Sequence, residues 1–195
     1  MTTRDRLVRR RGNESGLRAG LFEQMSEEAL IERARNGDEE AFGRLVEAYG
    51  PATYRLCYAI VRSAAEAEDA SQEAFVRAWR ELPRLRDASA WPGWLRKIAT
   101  REAIDEGHRR RRGIRTWAGR IDAIAPDHGA AVATRMEIEA AFARLSVDDR
   151  ALLALRFYAD LEVPDAAATL GIPLGTAKSR LSRALGRLRI LLEQG

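Results

Sequence analysis

The chain has 195 residues, 46% of them hydrophobic and 32% charged, with a formal net charge of +4. That length and apolar content support a buried core in one medium domain or two small ones, and exclude a fibrous or intrinsically disordered chain. A lone cysteine, Cys57, excludes an intrachain disulfide, and His108 and His128 with that one thiol are too few for an ordinary zinc site, so no metal or cofactor is expected.

Residues 1–24 carry Arg4, Arg6, Arg9, Arg10 and Arg11 with little periodicity, which predicts a flexible arm. No apolar stretch of signal-peptide type follows these arginines, and the chain has no run of about 18 apolar residues. A soluble, cytoplasmic protein with no membrane insertion is expected. Ser26 followed by Glu27 and Glu28 predicts a capped helix with Leu30, Ile31 and Ala34 inward. After Asn36-Gly37-Asp38, Phe42, Leu45, Val46 and Tyr49 recur at three- and four-residue steps. Gly50-Pro51 is expected to interrupt that helix before Tyr54, Cys57, Tyr58 and Val61 resume the stripe.

A helix over about 66–80 puts Ala70, Ala74 and Ala78 on one ridge, and Pro83 closes it. Trp91-Pro92 then opens a helix bearing Trp94, Leu95, Ile98, Ala99, Ala103 and Ile104 that runs into Arg109–Arg112, with Gly107 expected to end or loosen it. Residues 113–134 have weak patterning and read as a flexible linker. Beyond them a stripe of Ile138, Phe142 and Leu145 precedes a helix capped by Ser146, then a short helix near 163–169 and a long one near 175–192. All clear periods are near 3.6, so the fold class is all-α, with two small helical domains joined by the linker. The expected boundaries are a 1–24 arm, a 25–112 domain, a 113–134 linker and a 135–195 domain.

Charge is distributed in blocks that the net value hides. Residues 26–82 hold twelve acidic against seven basic groups, whereas 83–125 hold eleven basic against five acidic. Three surfaces follow. The C-terminal pair of helices, divided by Gly171-Ile172-Pro173, reads as a helix-turn-helix, with Ala177, Leu181, Leu185 and Leu188 inward on its second helix. Thr176, Lys178, Ser179, Arg180, Arg183 and Arg187 lie outward, a composition suited to the major groove or equally to a plain solvated face. Arg96, Lys97, Arg101, Asp105, Arg109 and Arg110 form a second, mostly basic strip. One of Trp91 and Trp94 is expected to stack on an unpaired base beside it, with Trp94 the better candidate for the core.

The third surface is acidic: Glu66, Glu68, Asp69, Gln72, Glu73 and Arg77 cluster on one helix. Such a patch repels phosphate and suits a basic protein partner. Paired carboxylates also occur in acid–base sites, but no histidine joins this cluster and no nucleophile–base set occurs elsewhere, so no catalytic residue and no small-molecule substrate are expected. Two other functions fit parts of the pattern: an independent helix-turn-helix regulator, which leaves the acidic helix idle, and a helical protein-binding adaptor, which leaves both basic surfaces idle.

Two blocks of residues resemble bacterial extracytoplasmic-function sigma factors of the sigma-70 family. The first spans Ala34–Phe42, Ala67-Glu68-Asp69-Ala70-Ser71-Gln72-Glu73-Ala74-Phe75, Ala78-Trp79 and Trp94-Leu95-Arg96-Lys97-Ile98-Ala99, similar to region 2. The second, centred on Gly171-Ile172-Pro173-Leu174-Gly175-Thr176-Ala177-Lys178-Ser179-Arg180, is similar to region 4. The resemblance implies a sigma factor that directs core RNA polymerase to promoter DNA and assists melting. It implies polymerase docking through Glu68, Asp69, Gln72 and Glu73. Contact with the −10 element is implied for Trp91, Arg96, Lys97, Arg101, Asp105, Arg109 and Arg110. Contact with the −35 element is implied for Thr176, Lys178, Ser179, Arg180, Arg183 and Arg187. It further implies an anti-sigma partner and the minimal two-domain form of the family.

Overall fold

The computed structural model describes residues 26–114 and 130–193, and every described element is helical. Helix α1 (Glu27–Arg35) starts at Ser26, whose side chain accepts from the Ala29 amide, as the sequence predicts. Helix α2 (Glu39–Val61) is capped by Asp38, which accepts from the Glu40 and Ala41 amides. The Ala41 bond, then Arg33, holds the Asp38 carboxyl below its usual range, although burial opposes them. Contrary to the expected break, α2 passes through Pro51 without interruption. Leu45 on one side and Leu56, Cys57 and Ile60 on the other all lie in one core, and that burial outweighs the roughly 3 kcal/mol an internal proline costs.

Helix α3 (Ala64–Glu81) lays Ala67, Ala70, Ala74 and Ala78, all buried, along one ridge. Methyl-sized side chains let its backbone approach α2 and α4 closely, and these three helices make the most extensive packing in the molecule. Short 3₁₀ turns at Leu82–Arg84 and Ala88–Ala90 lead into α4 (Trp91–Ile114). Helix α4 does not stop at Gly107. A Cβ at Gly107 would meet both γ-carbons of Val147 at 2.9 Å, so the glycine allows a close helix crossing there.

The second half comprises α5 (Ala130–Ala143), α6 (Val147–Leu153), a π-helical turn at Ala154–Tyr158, α7 (Val163–Leu170) and α8 (Leu174–Glu193). Ser146 accepts from the Asp149 amide at the start of α6, as predicted, and Pro164 sits in the first turn of α7, where its missing N–H costs nothing. Gly171 adopts φ 67°, and Ile172 N bonds the Ala167 carbonyl at 3.0 Å, closing α7 and setting the helix-turn-helix angle. The α4 and α5 helices extend into both ends of the expected 113–134 linker. Residues 115–129 and the expected 1–24 arm lie outside the described residues.

The two halves are not separate in packing. Val147, Ala151, Leu152, Leu155, Ala166, Ala167 and Ala177 belong to the same buried cluster as Ile31, Leu45, Ile60, Leu95 and Ile98. Helix α6 packs on α2 and α4, and α7 also touches α4. Arg55 on α2 donates to the Tyr158 hydroxyl at 2.8 Å. A smaller cluster of Leu145, Leu153 and Ala184, with Phe142, Leu181, Leu188 and Leu191 around it, holds α8 to its own half.

Candidate functional site

The acidic cluster on α3 divides into two sets. Glu68, Asp69, Gln72 and Glu73 are exposed and form one patch, with Gln72 Nε2 3.4 Å from Glu68 Oε1. Glu66 and Arg77 turn the other way. Glu66 pairs with Arg110 at 3.0 Å, and burial pushes its carboxyl above the usual range despite that partner. Arg77 bridges Glu81 and Glu102, both at 2.8 Å, and Glu102 is only 6% exposed. An apolar hollow of about 440 Å³ lies beside α3, formed by Phe42, Phe75, Val76 and Trp79 with Glu39 and Arg80 at its rim.

On α4, Lys97, Arg101, Asp105 and Arg109 are exposed and Arg96 is partly buried. Arg109 is held by Glu106 through Nε at 3.0 Å, an interaction that raises its pKa further. Arg110 does not join this strip, because its guanidinium is engaged with Glu66 at the contact between the halves. Trp91 is also not a stacking surface. It is fully buried, edge-on to Phe42 and Tyr49 with centroids 6.3 and 6.0 Å away. The turn at Ala88–Ala90 points the first side chain of α4 into the gap between α2 and α4, where a large ring fills space. Trp94 packs against the same core but is the partly exposed member of the pair, so Trp91, not Trp94, is the more deeply buried.

Helix α8 presents Thr176, Lys178, Ser179 and Arg183 to solvent. Ser179 Oγ donates to the Thr176 carbonyl at 3.0 Å, and Arg183 Nε bonds the Ser179 carbonyl at 3.2 Å, which folds that guanidinium along the helix. The inward seam runs through Ala177, Leu181, Ala184, Leu188 and Leu191, whereas Leu185 is 40% exposed. The stripe drawn from sequence chose Leu185 over the smaller Ala184, but close approach to Leu145 and Leu153 needs the alanine.

Two acidic residues in the first turn of α6, Asp148 and Asp149, organise this face. Asp148 lies 3.6 Å from Arg180, and Asp149 lies 3.2 Å from Arg187. Asp148 also approaches His108 of α4 at 3.4 Å, so one carboxylate touches both basic helices. Sequence reading missed Arg150. It is 6% exposed and donates to the backbone carbonyls of Ile60, Ala143 and Leu145. Burial, and then the charges of Arg111 and Arg62, push its pKa down to about 10.

Comparison with known proteins gives two family matches: sigma-70 region 2 over residues 45–120 and sigma-70 region 4 over residues 135–188. The RNA polymerase sigma-H factor of Pseudomonas aeruginosa is 33% identical over 180 residues, covering 84% of this chain and 92% of that protein. The ECF RNA polymerase sigma factor SigL of Mycobacterium tuberculosis is 33% identical over 174 residues, covering 85% and 97%. Among solved structures, the sigma factor RpoE in complex with the anti-sigma factor NepR from Bartonella quintana superposes with a TM-score of 0.62 at 27% identity, covering 78% of this chain and 96% of that one.

Proposed function

The chain belongs to the extracytoplasmic-function sigma factors of the sigma-70 family, and from that premise we propose how its surfaces divide the work of promoter choice. Residues 25–112 act as the module that joins polymerase and meets the −10 element, and residues 135–195 as the module that meets the −35 element. The exposed Glu68, Asp69, Gln72 and Glu73 dock on a basic surface of core RNA polymerase. Lys97, Arg101 and Arg109, with Arg96 and Asp105 beside them, lie along the −10 DNA. Trp94 takes over the stacking role first given to Trp91.

Thr176, Lys178, Ser179 and Arg183 enter the −35 major groove, where arginine reads guanine edges and the hydroxyls reach phosphate. Arg180 and Arg187 are oriented by Asp148 and Asp149 and exchange those partners for phosphate on binding. Polymerase supplies the catalysis, the chain itself is not an enzyme, and it works in the cytoplasm. Anti-sigma binding is part of the reading, because the RpoE relative is a complex of that kind. The observation that carries the whole assignment is the placement of two basic helices and one exposed acidic helix face on a single chain.

One geometric consequence follows. The −35 and −10 elements lie some 25 base pairs apart, roughly 85 Å along B-form DNA at 3.4 Å per pair. Here a single carboxylate, Asp148, reaches α4 and α8 at once. The contact of α6 with α2 and α4 therefore opens before both elements are read. Run-off transcription with purified core polymerase on a pool of genomic promoters tests the proposal. Specific initiation only when the chain is added supports it. A chain that neither joins core polymerase nor changes the start sites, with inhibitory partners absent, overturns it.

A further inference from the structure

We propose that the cleft where α4 and α6 meet the α2–α3 corner binds a small phosphate-class anion, and that this anion fastens the two halves together. Four guanidiniums converge on one cleft of about 220 Å³: Arg62 at the end of α2, Arg110 and Arg111 on α4, and Arg150 on α6. The carboxylates that face them are Glu66, paired with Arg110 at 3.0 Å, and Glu139, paired with Arg62 at 3.3 Å. Glu106 is nearby but is engaged by Arg109. Among the described residues, four cations against two anions leave two positive charges in a partly buried space.

Arg150 commits its Nε and Nη1 to backbone carbonyls and so gives the cleft charge more than donors, which places the donor role on its neighbours. Arg62 holds a left-handed backbone, φ 64°, which arginine rarely adopts, and its Nε is buried with no hydrogen-bond partner. The crowding of like charges also appears at Arg150, whose pKa is depressed partly by Arg111 and Arg62. Val61 and Val147 supply apolar walls, which lower the local dielectric and strengthen any charge pairing inside. Guanidinium forks match tetrahedral oxyanions better than spherical chloride, because two parallel N–H groups meet two oxygens. Arg62 comes from one half and Arg150 from the other, so an ion between them bridges the closed arrangement. The site stands on the cleft alone, whereas its regulatory sense rests on the sigma factor reading above.

The full chain is titrated with orthophosphate and pyrophosphate, with chloride at matched ionic strength as reference, by calorimetry and thermal melting. At ten times its dissociation constant, a bound anion shifts the folded-to-unfolded ratio by about elevenfold, seen as a higher Tm. Arg111→Gln removes a guanidinium whose only bond to the described backbone is the Leu145 carbonyl at 3.3 Å, and weakens binding by about tenfold. Glu66→Gln tightens binding several-fold, since it deletes the opposing carboxylate and frees Arg110. Arg44→Gln, at an exposed position on α2 outside every proposed binding surface, leaves the phosphate affinity unchanged.

Phosphate that acts only as chloride does overturns the site, as does loss of binding in Arg44→Gln equal to that in Arg111→Gln. A weaker Glu66→Gln variant that melts normally in chloride overturns it too. For the regulatory part, phosphate lowers the affinity of the wild-type chain for core polymerase more than that of Arg111→Gln. Equal lowering in both overturns the fastening role. A chain that binds phosphate as described but never joins polymerase overturns the sigma factor reading instead.

Discussion

Replacing Gly107 by alanine tests whether the helix crossing at α4 and α6 controls the opening of the chain. The added Cβ lies 2.9 Å from Val147 Cγ1 and 2.9 Å from Cγ2, closer than non-bonded carbons approach. Overpacking of this kind costs about 1–3 kcal/mol, while alanine returns about 1 kcal/mol of helix propensity to α4. The propensity gain is the same whether the chain is closed or open, so the full 1–3 kcal/mol acts against the contact between halves and favours the open arrangement by about 5- to 150-fold. Fluorescent labels on cysteines placed at exposed Glu47 and Ser182 report the separation, and Cys57 stays unlabelled because it is buried. Energy transfer should fall in Gly107→Ala while affinity for core polymerase rises.

Val147→Ala removes both clashing carbons, and the new alanine partly fills the space they leave. The double variant should therefore open less than the two single effects predict, with a coupling of about 1 kcal/mol. An unchanged separation in Gly107→Ala, or effects that add without coupling, refutes the role given to this crossing. Weaker polymerase binding in the single variant refutes the link between opening and function.

Four shorter tests address the remaining surfaces. Arg183→Ala should weaken −35-dependent transcription and reduce the log–log salt slope of duplex binding by about 0.9, with polymerase affinity retained; equal loss of both removes Arg183 from the −35 face. Asp69→Ala or Gln72→Ala should reduce polymerase binding, measured by competition against the wild-type chain, and a pure loss of promoter recognition contradicts the docking role. Trp91→Ala should cost about 3–5 kcal/mol of stability by urea titration, because it empties a fully buried site, and a stable variant defective only in melting restores the stacking role. Burial pushes the Cys57 thiol up to about 12, so at pH 8 only about one molecule in ten thousand carries the thiolate even before access is considered. Alkylation of Cys57 should follow unfolding, and fast labelling of the folded chain contradicts the packing around it.

Much of the architecture was legible because the signals are local. Ser26, Ser146, Pro164 and Gly171 act within one turn of their own position, and each does in the structure what its residue type dictates. The exposed acidic face of α3 and the outward residues of α8 follow from 3.6-residue spacing on helices whose opposite faces are apolar. Pro51 and Gly107 were misread for a common reason. A residue that breaks an isolated helix was judged without the tertiary contacts that compensate for it, Leu45 and Ile60 in one case and Val147 in the other.

The contact between the halves was illegible for a different physical reason. Arg150 is bound by three backbone carbonyls, and a carbonyl is the same group at Ile60, Ala143 and Leu145 as at any other residue. No side-chain pattern can announce such a site. Glu66, Arg77 and Arg110 were assigned by helix spacing to surface strips, yet each is drawn to a partner on a different helix. Charge blocks therefore identify which helices are acidic or basic, but only packing separates charges that meet a partner molecule from charges that hold neighbouring helices together. In this chain the two kinds occur one helical turn apart on α3, Glu66 from Asp69 and Arg77 from Glu73, and side by side on α4, Arg110 next to Arg109. The same helices thus carry both the surfaces proposed for recognition and the ion pairs that hold α3 to α4, whereas the contacts that yield on opening are those of Asp148 with His108 and of Arg150 with the Ile60 carbonyl.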